Sequence, residues 1–177
     1  MTDKRVIQRA RRDQRQGKSP TTQAGEFVRE EFHHIREGKH GTRSTKQAIA
    51  IGHSKARRAG VELPPPEKGR TSRRTRRSAD QAFRRGQGEP PEREPSAKRS
   101  RATLHALQQE RKSAASRASL SKQAQQSAGE RTAAQRSAAA HRAVTTKGPA
   151  KRHAAAIKAA RTRRNVGRRS KAAGKVS

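Results

Sequence analysis

Three phenylalanines, Phe27, Phe32 and Phe83, are the aromatic side chains of a 177-residue chain without tryptophan or tyrosine. A core grows from large apolar side chains, and three rings cannot centre one for a chain this long. The hydrophobic fraction is 28%, well below that of an ordinary domain. Against it stand 45 Lys and Arg, 14 Asp and Glu, and a net charge of +31. So little burial offsets the chain entropy that at most one small folded unit is expected.

That unit belongs where apolar residues recur at helical spacing. Ala24, Phe27, Val28, Phe32 and Ile35 form one stripe, with Ser19-Pro20 as a helix start and Gly38 as its stop. Glu26, Arg29, Glu30 and Arg36 are expected to face away, and Glu30, Glu31 and Glu37 to be surface carboxylates. A second helix opens on a capping box, Ser44 with Gln47, and runs to Gly60. Gly52 lets the two helices approach closely, and Val61 packs back over the glycine stop.

The expected fold is therefore mostly α, a short helical hairpin followed by a long basic, disordered or conditionally helical C-terminal region. Residues 1–18 read as a short helix capped by Asp3 or equally as a basic arm, 19–63 as the hairpin, and 64–100 as a Pro/Gly/Arg-rich linker. Residues 101–177 read as an Ala/Lys/Arg-rich tail. From 97 to 177 the chain holds 21 bases, 2 acids and 22 alanines in 81 residues. Alanine and arginine favour helix, but like charges and scarce apolar surface oppose a packed one. Helical segments near 98–143 and 150–164, strengthened by polyanions, are predicted.

The phrase GEFVREEFHHIREGKHGTRSTKQAIAIG (Gly25–Gly52), with SKARRAG (Ser54–Gly60), resembles a family of small basic bacterial proteins of unknown function. Its members are loosely labelled DNA-binding or plasmid-stabilisation proteins. The likeness covers about residues 4–66 and carries over no catalytic or binding residue. His53 stands where relatives would place an apolar residue. The tail resembles histone H1-like bacterial proteins in composition alone.

The chemistry of the residues excludes more than it assigns. There is no cysteine, hence no disulfide, thiol nucleophile or Cys-type zinc site. No apolar run reaches membrane-spanning length and none reads as a signal peptide, so a cytoplasmic, nucleoid location is expected. Phosphate-loop and nucleophile-elbow patterns are absent, and nothing surrounds the carboxylates to shift a pKa, so the chain is not read as an enzyme. His33 and Glu37 stand at metal-ligand spacing, yet without a second ligand pair His33, His34, His40 and His53 read as solvated or phosphate-facing. No metal and no cofactor is expected.

What remains is charge. Lysine and arginine displace counterions from polyphosphate, so affinity follows cation number and falls with salt. Largely non-specific DNA binding is the leading expectation, with RNA or ribosome association and a protein-interaction module with a polyanion-localising tail as alternatives. The few aromatics disfavour base-stacking recognition of single strands, and DNA is preferred to RNA. Arg43, Ser44 and Lys46 mark an anion site at the start of the second helix; His53, Lys55, Arg57 and Arg58 line its end. Arg73, Arg74, Arg76 and Arg77 form a disordered phosphate-seeking cluster. Lys151, Arg152, Lys158, Arg161, Arg163, Arg164, Arg168 and Arg169 serve in the tail. No membrane partner is expected, and the apolar face of 19–63 is a surface for self-association.

Overall fold

Each α-helix begins where a side chain accepts a hydrogen bond from an amide of its first turn. The Asp3 carboxylate accepts from the Arg5 amide at 2.9 Å and opens α1, Lys4–Arg15. Ser19 caps α2, Pro20–Glu37, whose proline stands at the first position where no amide is needed. Gly38 ends it at φ 79°, a left-handed conformation that a Cβ would strain. At α3, Thr45–Arg58, Ser44 Oγ accepts from the Gln47 amide at 3.2 Å and Gln47 Oε1 accepts from the Arg43 amide at 2.9 Å. The Ser44 half of the expected capping box is in place, while Gln47 reaches back to the amide one residue before the cap.

The computed structural model describes residues 3–90 and 96–173, apart from the side chains of 146, 147 and 166–173. It divides into two units, residues 1–124 and 125–177. In the first unit α2 is central and buries two faces. Ala24 and Phe27 meet Val6 and Ala10 of α1 and Ala56 of α3, with Val61 and Leu63 folding back over them. Phe32 and Ile35 meet Ala48, Ala115 and Leu120. Gly52 is the point of closest approach, since a Cβ there would lie 2.7 Å from the Val28 Cα. The apolar stripe of 19–63, read as a surface for self-association, is thus covered from within the chain.

The run Arg70–Arg77, expected to be disordered, contributes the first turns of α4, Arg73–Gly86. Ser72 Oγ accepts from the Thr75 amide at 3.1 Å, and Ala79 and Ala82 turn inward as α4 lies on α3. A Cβ at Gly86 would collide with the Arg57 carbonyl oxygen, so only glycine permits that crossing. Pro91 and Pro95, counted with the linker, lie outside the described residues.

The mostly α class stands, but the long disordered C-terminal region does not. The described residues after the linker form α5 (Ala97–Gln109), a 3-10 turn (Lys112–Ala115), α6 (Arg117–Gly129) and α7 (Ala133–Ala173). α7 breaks once, at Gly148 with φ 66° and ψ 170°, before Pro149. Local signals account for this order. Ser96 accepts from the Arg99 amide, Ser116 from the Ser119 amide, and Thr132 exchanges hydrogen bonds with Gln135. Those caps stand before segments of high helix propensity, a combination that scarcity of apolar surface does not cancel. The helical stretch expected near 98–143 is divided among α5, the 3-10 turn, α6 and the start of α7, with breaks at Glu110–Arg111, Ser116 and Glu130–Thr132. Among the described residues there is no strand beyond one isolated bridge, Lys68 to Thr71, and no helix long and apolar enough to cross a membrane.

Candidate nucleic-acid interface

The start of α3 is occupied by the protein itself. The Gly41 amide donates to the Leu107 carbonyl at 2.8 Å and the Thr42 amide to the Arg111 carbonyl at 3.2 Å. The Thr45 hydroxyl donates to the Ala114 carbonyl at 2.8 Å. Of the three residues read as an anion site, Ser44 is committed to the cap, while Arg43 and Lys46 reach solvent. Arg43 lies 3.5 Å from Glu110, an exposed pair of little energetic weight. An anion finds two cations here, but fewer open amides than the sequence suggests.

The end of α3 divides between structure and surface. Arg57 is buried, donating from Nε to the Leu63 carbonyl at 2.9 Å and from its terminal nitrogen to the Pro64 carbonyl at 3.0 Å. It fastens the chain leaving α3. Burial lowers the Arg57 pKa, yet a guanidinium stays charged at any ordinary pH. Lys55 is also turned inward, 2.7 Å from Glu31 Oε2 and 3.7 Å from Glu30 Oε2. His53 is half-buried; burial first, and then the Arg57 charge, pull its pKa below 6.5. Of the four residues read as one contact face, Arg58 is the one exposed to solvent. Its pKa is lowered by burial of part of the guanidinium and by Arg85 on α4, a neighbour of like charge.

α4 carries the densest exposed charge. Arg73, Arg74, Arg76 and Arg77 all face solvent in its first turns, and that turn has no acid. Arginines here meet the positive end of the helix dipole and one another at spacings of three and four. Within the described residues no carboxylate pairs with Arg73, Arg74 or Arg76, whereas Arg84 has Asp80 at 3.1 Å. In the second unit, α7 exposes Lys151, Arg152, Lys158, Arg161, Arg163 and Arg164, and no acid follows Glu130 in the sequence. Arg168 and Arg169 belong to the backbone of α7, but their side chains lie outside the described residues.

A second constellation lies beneath this surface. Glu30 and Glu31, expected on the surface, are buried at 7% and 0% exposure. The Asp3 amide donates to Glu30 Oε1 at 2.7 Å, so α1 covers that side of α2. Glu31 faces Lys55 and, at 3.3 Å, His40 Nε2. His34 stands beside them, its ring edge-on to His40 at 6.3 Å between centroids. Burial first, then Lys55, lowers the His34 pKa and keeps the ring neutral near pH 7. His40 is thus turned into the protein rather than solvated, His34 is partly exposed, and His33 is the exposed one, 3.6 Å from Glu37. The signal in the sequence was the spacing Glu31 to His34, one helical turn, followed by a glycine that returns His40 toward the same face.

Residues 15–68 match the model of a family of unknown function, DUF6496. The match spans α2, α3 and the connector that carries His40, and it stops before α4. No curated protein and no solved structure matches the chain.

Proposed function

We propose that this protein binds nucleic acid through charge, without enzymatic activity and largely without sequence preference, and that duplex DNA is its principal ligand. The exposed arginines at the start of α4 carry this reading. Packing against α3 holds them at a helix end where dipole and neighbours both disfavour positive charge. Phosphates placed there relieve both penalties and release counterions from the polyanion. α7 adds cations on an acid-free helix. Contacts of this kind go to the backbone, which positions a protein but does not read bases. Two of the three phenylalanines lie inside the core and Phe83 is partly exposed, which leaves little aromatic surface on which single-stranded bases would stack. A nucleoid location is the cellular counterpart of this function.

Binding to random duplex DNA across a salt series tests it. The logarithm of the affinity should fall steeply and linearly with the logarithm of salt concentration, by about 0.9 per phosphate neutralised. An affinity indifferent to salt would overturn the mechanism. Competition between duplex DNA and structured RNA decides between the two polyphosphates, and preference for RNA would move the function to an RNA or ribosomal partner.

A further inference from the structure

We propose that Glu31, His34 and His40 form a three-ligand site for a divalent transition metal ion of the zinc class. The ligand atoms of the three residues all lie within 4.8 Å of one another. Glu31 and His34 are one turn apart on α2, a Glu-x-x-His spacing that aims carboxylate and imidazole from one helix face toward one point. His40 arrives from the connector, turned back by the left-handed Gly38.

The protonation pattern of His40 favours a cation between the partners. Its Nδ1 lies 3.1 Å from the Gly41 carbonyl oxygen. A carbonyl only accepts, so Nδ1 carries hydrogen. In the neutral ring Nε2 then points a lone pair at Glu31 Oε1, 3.3 Å away. Two acceptors facing each other are stable only with a proton or a metal ion between them. The imidazole-to-carbonyl hydrogen bond is also the usual outer support of a metal-bound histidine. Two ligands on a tetrahedral zinc ion, with bonds of about 2.0–2.1 Å, stand about 3.3 Å apart. His40 and Glu31 already have that separation, and the partly exposed His34 completes the set with a small side-chain shift.

Glu31 supplies a second, independent observation. Its side chain is fully buried, and neither oxygen receives a directed hydrogen bond, although both lie within ion-pair distance of His40 or Lys55. The buried carboxylates of Glu30 and Glu31 share the single ammonium of Lys55, and His40 is the other basic side chain against Glu31. Lys55 holds Oε2 and leaves Oε1 for the metal. Two nitrogens and one oxygen suit zinc and its borderline neighbours rather than calcium or magnesium, which take oxygen shells. The fourth position is open to water.

The test uses the untagged full chain stripped with a chelator. Calorimetric titration with zinc and visible absorption with cobalt(II) should show one equivalent bound, with the intense bands of a four-coordinate cobalt ion, and a rise in Tm. H34A and H40A each delete a direct ligand and should weaken that site by more than the roughly ten- to hundredfold that loss of an outer-shell partner costs. H34A changes a partly exposed ring and decides the matter if H40A fails to fold by circular dichroism. H33A should bind as the parent does. No stoichiometric uptake would overturn the proposal, as would undiminished uptake in folded H34A. Loss in H33A alone would assign the ion to the exposed His33–Glu37 pair and overturn it too.

Discussion

Arg57 stands among the residues that a charge count assigns to the ligand, yet its guanidinium answers two carbonyls inside the protein. Arg57→Ala leaves those carbonyls with an unfilled pocket and should cost about 2–4 kcal/mol in chemical denaturation. DNA affinity of the folded variant should be unchanged, and a large fall in affinity would return Arg57 to the interface. His53 makes a pH prediction. Its folded pKa is pulled below 6.5 by burial first and Arg57 second. Above that value the ring is neutral in both states and contributes nothing. As pH falls below 6.5 the unfolded chain takes up a proton that the folded chain refuses, so stability declines until the folded pKa is passed. Denaturation midpoints of His53→Gln should therefore fall less steeply than those of the parent between about pH 7 and 5. An identical slope would show that His53 titrates freely. Neither position could be assigned from its neighbours in sequence, because inward and outward arginines have the same one-dimensional context.

Helices expected from spacing and caps formed where Ser19, Gly38, Ser44 and Gly60 placed their ends, and Gly52 permits the approach of α2 to α3 that its small size suggested. Gly52→Ala inserts a Cβ against the Val28 backbone and should destabilise by about 1–3 kcal/mol, measured by urea unfolding. A neutral effect would mean the helices separate without cost. α4 escaped recognition because its buried face is made of Ala79 and Ala82. Alanine contributes little to a hydrophobic pattern, so arginine dominated the reading of that stretch. Replacing Arg73, Arg74 and Arg76 together with alanine should lower DNA affinity and reduce the salt slope by about 0.9 for each phosphate no longer neutralised. Helicity by circular dichroism should hold or rise, since alanine is the better helix former and the repulsion is gone. An unaltered slope would place the DNA-binding surface elsewhere.

Over the whole chain, residues 1–124 contain both apolar clusters and residues 125–177 contain neither. A chain ending at 124 should unfold cooperatively with a Tm close to the parent's, and should bind DNA more weakly and with a smaller salt slope. Absence of the cooperative transition would show that the first unit depends on the second. Composition and periodicity alone determined the mostly α class, the α2–α3 pair with its caps, and the large excess of positive charge. These follow from local hydrogen bonding, 3.6-residue repetition and summed charge, none of which needs a partner distant in sequence. Tertiary structure alone decided that Glu30 and Glu31 are buried, that Lys55 and Arg57 turn inward, and that Glu31, His34 and His40 converge. Each of those outcomes depends on which surface a second or third helix covers. α1 and the segment 107–115 cover α2 and the start of α3 from opposite ends of the first unit, and no local pattern announces such a contact.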